Sequence, residues 1–184
     1  MSYLKEMLAF NEQFVAKKQY ESFTTSKLPD KKIVILSCMD TRLSELLPAA
    51  LNLKNGDAKM IKNAGAVVTA PFGSVMRSLL VAIYELGAEE IFIIAHHDCG
   101  MHKMKADQLI EKMMARNIRR EDIDMMSYYG VDAYQWLTGF ADSADSVLET
   151  ATLVRNHPMM PADVTINGFL MDPETGKLDF VCNV

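Results

Sequence analysis

Ile33-Val34-Ile35-Leu36, entered from the charged pair Lys31-Lys32, is an unbroken apolar run of mostly β-branched residues. A strand with one wet face alternates apolar and polar residues. A run without alternation therefore predicts a strand buried on both faces, as in a parallel sheet. Ile91-Phe92-Ile93-Ile94-Ala95 is a second run of this kind. Between them, Ala58 to Lys62 reads as a short strand ending in Asn63-Ala64-Gly65. Helical patterns fill the intervals. Ser44 is placed as the cap of a helix to about Leu53, with Glu45 favourable in its first turn. Val75, Leu79, Ala82, Ile83 and Leu86 recur at helical spacing from about Phe72 to Leu86, with Gly87 as the C-terminal cap. This order predicts an α/β fold, a mostly parallel central β-sheet flanked by helices and joined by right-handed crossovers.

Towards the N-terminus, a helix from Tyr3 to about Lys18 places Leu4, Met7, Leu8, Phe14 and Val15 on roughly one face. In the other direction, Met101 to Gly139 is helical and polar. Ala144, Val147, Leu148, Ala151 and Val154 then mark an amphipathic helix stopped near His157-Pro158. Val164-Thr165-Ile166 reads as a strand and Asp172-Pro173-Glu174-Thr175-Gly176 as a turn. After Lys177 comes a last strand, with Leu178, Phe180 and Cys182 on one face. No repeat or linker divides the chain. Residues 1–184 are expected to form a single domain, with a helical arm over 1–23, the site-bearing core over 32–104, a helical region over 105–160 and C-terminal strands over 161–184.

A chain of 184 residues can bury a sizeable core, and 49% hydrophobic with 23% charged residues fits a soluble globular protein. The formal charge of −5 argues against a nucleic-acid partner, since the short Arg116, Arg119 and Arg120 group reads as a solvated helix end. No run approaches the ~18 apolar residues of a membrane span. Lys5, Glu6 and Glu12 interrupt any signal-peptide core. The expectation is a cytoplasmic protein with no membrane partner. Three cysteines in a reducing compartment do not make a disulfide framework, which leaves metal binding, catalysis or burial. The 14 methionines read mostly as core filler.

Cys38 lies after the first buried strand, His96 after the second, and Cys99 three residues on in an Asp98-Cys99-Gly100 turn. Open α/β sheets form sites outside the carboxyl ends of their strands, so neighbouring strands would bring all three together. Two thiolates and an imidazole suit Zn²⁺, and three protein ligands leave a fourth position for water. The same residues would also fit two buried thiols and a hydrogen-bonded histidine. Cys38-Met39-Asp40-Thr41-Arg42 adds an acid and a guanidinium that can hold it bidentately beside the metal. A plain loop-end salt bridge is the other reading. His97 and His102 read as surface residues before proton relays, His157 as a helix-end residue bonding a carbonyl, and Cys182 as core. Arg77 is left between an interface and a core ion pair.

Cys38-x-Asp40-x-Arg42, Lys62-Asn63-Ala64-Gly65 and His96-x-x-Cys99-Gly100, in this order and spacing, resemble the short prokaryotic form of the beta-class carbonic anhydrases. The similarity runs from about Lys32 to Met104. It resumes at His157-Pro158 and the Asp172–Gly176 turn, while Ala66 stands where the family often has a second Asn. The resemblance implies one Zn²⁺ per chain on Cys38, His96 and Cys99, with Asp40 and Arg42 as catalytic residues. The implied reaction is reversible hydration of CO₂ to bicarbonate and a proton. It also implies a homodimer, or a tetramer built from two dimers, with the N-terminal helix packed on the partner. Two alternatives remain open. One is hydrolysis of CS₂ or COS on the same scaffold. The other is a closed site in which Asp40 takes the fourth position and zinc is held with little turnover. The loop sequences lean towards the open form, with Asp40 on Arg42.

Overall fold

The computed structural model describes residues 2–184. Strand β1 (Ile33–Cys38) is buried at every position, as an apolar run without alternation requires. Its neighbours are β2 (Ala58–Asn63) on one side and β3 (Glu90–His96) on the other, both parallel to it. β4 (Thr165–Met171) continues the sheet parallel to β3, and β5 (Leu178–Asn183) closes it antiparallel to β4. The strand order is β2-β1-β3-β4-β5. The mostly parallel α/β sheet expected from the alternation of runs is therefore present.

Helices cover the two faces unequally. On one face, α3 (Ser74–Tyr84) and α7 (Ser143–Arg155) pack Met76, Leu79, Ala82, Val147, Ala151 and Val154 against Val34, Leu36, Ile91 and Ile93. On the other, α2 (Leu43–Ala50) sets Leu43 and Leu47, one turn apart, against Ile33, Ile35, Ile94 and Met171. Each fully buried Leu or Ile here contributes roughly 1.5–3 kcal/mol. Beyond α2 this second face is rimmed by Phe92, Phe169 and Phe180, stacked edge-to-face at 5.8 Å and 5.8 Å, with Phe180 64% exposed.

The region between β3 and α7 carries α4 (Ala106–Met114), α5 (Arg120–Asp124) and α6 (Ala133–Leu137) around a small core of Ala106, Ile110, Ile123 and Ala133. Its arginines are solvated as expected, Arg119 pairing with Asp122 and Arg120 with Asp124. Helix α1 (Tyr3–Ala16) buries none of its residues. No helix of the described residues is long and apolar enough to cross a membrane.

Several local expectations are corrected. Helix α2 begins at Leu43, so Ser44 lies inside it and caps nothing, and it ends at Ala50, short of Leu53. Helix α3 is shorter at both ends than Phe72–Leu86, although Gly87 does close it in a left-handed conformation (φ +72°), its N–H donating to Ile83 O. Strand β4 extends well past Ile166, because Asn167 and Gly168 stay in register with β3. A Cβ on Gly168 would lie 2.5 Å from Val147 and 2.7 Å from Cys182, so only glycine lets α7 and β5 approach there. Leu178, Phe180 and Cys182 do not share a face. A bulge opposite Gly168 and Phe169 shifts the alternation, leaving Leu178 with the α2 core and Cys182, buried as expected, with the α3/α7 core. A bulge flips the side chains beyond it. Nor are the methionines mainly core. Met76 and Met171 are buried, whereas Met7, Met39, Met60, Met114, Met125 and Met159 are exposed.

Candidate metal centre

Cys38 is the last residue of β1 and His96 the last of β3, so each sits at a strand's carboxyl end and not just past it. Adjacent parallel strands leave their ends side by side, and the turn after β3 returns Cys99 to the same point. The ligand atoms of Cys38, His96 and Cys99 all lie within 4.8 Å of one another, and all three residues are buried. The two Sγ atoms are 3.8 Å apart. Two thiolates at ~2.3 Å from one tetrahedral ion would be about 3.8 Å apart, so the spacing fits a shared metal without rearrangement.

The imidazole is oriented for the same task. His96 Nδ1 lies 2.8 Å from His97 O, and a carbonyl only accepts, so Nδ1 carries the proton and Nε2 a lone pair. That Nε2 is fully buried and has no hydrogen-bond partner among the described residues. An orphaned buried acceptor facing two thiols is what a bound cation would satisfy. The Cys99 thiol, hydrogen-bonded to Cys38, holds the Cys38 thiol well below its ordinary range. The same bond, with burial, pushes Cys99 up. Two thiols and an imidazole form the donor set of a soft or borderline metal.

Asp40 stands beside this cluster, its Oδ2 3.8 Å from His96 Nε2, but it is engaged elsewhere. Arg42 Nε donates to Asp40 Oδ1 at 3.0 Å, Nη2 to Oδ2 at 2.9 Å, and the Arg42 backbone N–H to Oδ1 at 2.9 Å. The Arg42 guanidinium accordingly holds the carboxyl at about 2, well below the usual carboxylate range. The loop sequences lean towards Asp40 on Arg42, and here the two are paired.

The supporting loops explain the intervening motif. Asn63 folds its side chain onto its own loop, donating to Val67 O at 2.6 Å and accepting from Val67 N–H at 3.2 Å. Its carbonyl accepts from Met39 N–H, extending the β1–β2 ladder beneath Cys38. Gly65 and Ala66 are both left-handed, at φ +86° and +59°. Asn tolerates that conformation better than Ala, so Ala66 is an uncommon residue type for this turn. Met101 and Phe140 close over Gly65, where an added Cβ would meet them at 3.3 Å and 3.0 Å.

Among the other singled-out residues, His97 is half exposed and lies 3.5 Å from Asp179. His102 Nε2 donates to Ala141 O, and Arg77 is exposed. His157 is buried, but its Nδ1 accepts from Met159 N–H and does not bond a carbonyl. Sequence reasoning missed Asp98, which receives Arg42 Nη1 at 3.2 Å on its carboxylate and Nη2 at 3.1 Å on its carbonyl. No spacing rule links positions 42 and 98, so only the fold reveals the contact.

Residues 33–178 match the family model described as Carbonic anhydrase. The chain is 52% identical over 183 residues to "Putative carbonic anhydrase YtiB" of Bacillus subtilis, covering 100% of this chain and 98% of that one. It is 27% identical over 181 residues to a carbon disulfide hydrolase of Saccharolobus solfataricus, covering 91% and 86%. Among solved structures, beta-carbonic anhydrase isoform I of Trichomonas vaginalis superposes with a TM-score of 0.89 at 35% identity, covering 100% of this chain and 99% of that chain. With the sheet, the strand-end cluster and these matches in agreement, the chain belongs to the beta-carbonic anhydrase family.

Proposed function

We propose that this chain is a zinc-dependent carbonic anhydrase, catalysing reversible hydration of CO₂ to bicarbonate and a proton, with one Zn²⁺ held by Cys38, His96 and Cys99. The observation that carries this reading is the orphaned His96 Nε2 facing two thiols, with an Arg-locked carboxylate 3.8 Å away. Zn²⁺ bound there would supply Lewis acidity that makes hydroxide available near neutral pH, an effect for which the three-histidine carbonic anhydrases are the reference case.

The chain's own residues do the rest. Asp40, ionised, can only accept, so it takes the hydrogen bond of the attacking water and turns that oxygen's lone pair towards CO₂. Arg42 fixes the carboxylate with three hydrogen bonds and keeps it charged. His97 O orients the His96 ring. The engagement of Asp40 by Arg42 supports the open form over one in which Asp40 takes the fourth position on the metal.

Stopped-flow CO₂ hydration by zinc-loaded protein, with CS₂ in a parallel arm, tests the assignment. Chelator-sensitive CO₂ turnover is expected, and its absence from fully loaded protein would overturn the reading. The pH dependence follows from the depressed Asp40. A carboxyl lowered to about 2 loses its charge only as pH falls through that value. Asp40 therefore stays ionised over the working range, and the acid-side loss should follow one ionisation, that of the attacking water. A steeper, two-proton acid limb would show Asp40 leaving Arg42.

The exposed Leu4, Met7, Leu8, Phe10 and Val15 of α1 support a homodimer, or a tetramer built from two dimers. A helix of this length with no buried residue is marginal alone and needs its apolar face covered. Sedimentation at micromolar concentration should show a dimer or larger, reduced to monomer by Leu4→Glu with Leu8→Glu. A monomeric wild type would refute it. Thiol ligands that must stay reduced fit a cytoplasmic setting, which fractionation of the source cells checks.

A further inference from the structure

We propose that Asp98 is a positioning residue for Asp40, acting through Arg42. The inference rests on the hydration reading and deepens it. Asp40 and Arg42 sit two residues apart on one loop, so their ion pair fixes each only relative to the other. A pair anchored in that way can swing as a unit. The cluster it must face includes His96 and Cys99, which come from β3 and the turn after it. Something has to tie the pair to that second segment.

Asp98 does so at two points. Arg42 Nη1 donates to Asp98 Oδ2 at 3.2 Å, and Arg42 Nη2 donates to Asp98 O at 3.1 Å. Nε and the other Nη2 hydrogen remain on Asp40. Four of the five guanidinium N–H groups are thereby assigned, split between two segments. The planar fork converts the position of the Cys99 turn into the position of the Asp40 carboxylate.

One further feature sets Asp98 apart from an ordinary surface acid. Its backbone is left-handed, at φ +54°, immediately before Cys99. That conformation presents both its carbonyl and its carboxylate to Arg42, and Asp, Asn or Gly accepts it more readily than other residues. Its side chain is 87% exposed. An ion pair so open to water contributes little to stability, so removing the carboxylate should leave the fold intact.

The test is a double-mutant cycle on zinc-loaded protein. Asp98→Gly keeps the left-handed backbone and removes the carboxylate. It should lower kcat roughly three- to ten-fold at unchanged KM, with zinc content and melting temperature retained. Asp98→Asn keeps both the backbone preference and an acceptor oxygen and should restore most of the rate. In an Arg42→Ala background, Asp98→Gly should cause no further loss, because its effect passes through the missing guanidinium. Equal fold-losses in both backgrounds, or wild-type kcat in Asp98→Gly, would overturn the proposal. If wild-type protein turned over no CO₂, the hydration reading would fall, and crystal structures of the zinc-loaded proteins would judge Asp98 alone. The Asp40–Arg42 pair should then be displaced in Asp98→Gly, and an unmoved pair would refute the role.

Discussion

Cys99→Ser protein is expected to lose nearly all of its zinc, while Cys182→Ser keeps a full complement. Both cysteines are buried, so burial does not separate them. Their surroundings do. Cys99 Sγ lies 3.8 Å from Cys38 Sγ, in the cluster that includes the unpartnered His96 Nε2. Cys182 stands with Val147, Ala151 and Ile166 in an apolar cluster that contains none of the three. A serine hydroxyl is not ionised at neutral pH and is a poor zinc ligand. Losing a direct thiolate should cost more than the ~10–100-fold in affinity that loss of an outer-shell partner costs. Serine at 182 instead places a hydroxyl among apolar side chains, a cost of about 1–3 kcal/mol in stability with no effect on the metal. Metal analysis of the purified folded proteins, alongside their melting temperatures, separates the two effects. Equal zinc in both variants would remove Cys99 from the ligand set.

Arg42→Ala should retain zinc and lose on the order of 10²-fold in kcat, the scale expected when a catalytic group is misplaced by about 1 Å. Arg42 is not among the clustered ligands, so removing it takes nothing from the metal. Of the three hydrogen bonds that Asp40 receives from Arg42, the substitution removes two, and it removes both of those on Asp98. One of the three, from the backbone N–H, survives the substitution; the two from the guanidinium do not. Asp40 is then free to move towards His96 Nε2, 3.8 Å away, where a bound ion would attract it. The side chain is about two-fifths exposed, so the melting temperature should move little. Zinc content, kcat and melting temperature measured on one preparation check this. Near wild-type turnover would show that Asp40 needs no clamp. Arg42→Lys should fall between, because an ammonium cannot span both carboxylates as a planar fork does.

The sheet and its ligands were legible because their signals are local. Ile33 to Leu36 and Ile91 to Ala95 declare buried strands by lacking alternation, Cys38 and His96 end those strands, and Cys99 lies in the turn after the second. The bounds of α2 were less legible. Ser44 is a good cap by type, yet the Asp40–Arg42 turn already starts the helix, with Leu43 N–H donating to Asp40 O. The length of β4 was hidden for a related reason. Asn167-Gly168 reads as a break in isolation, but pairing with β3 keeps it extended, and the close approach of Val147 and Cys182 demands the glycine.

By itself, the sequence determined the α/β class, the mostly parallel sheet, the three candidate ligands and the neighbouring Asp40 and Arg42. Hydrophobic periodicity and motif spacing are properties of contiguous residues, readable without a fold. Only the tertiary structure decided that Asp40 pairs with Arg42, that Asp98 shares the same guanidinium, and that a bulge sends Leu178 and Cys182 to opposite faces. It also decided that α1, which meets its own chain at Phe14 and Phe23, buries none of its residues. Each of these depends on segments remote in sequence being brought within a few ångströms, as with Arg42 and Asp98, 56 residues apart. Hydrogen-bond geometry and packing at such contacts are set by the sheet as a whole, and a linear pattern carries no record of them.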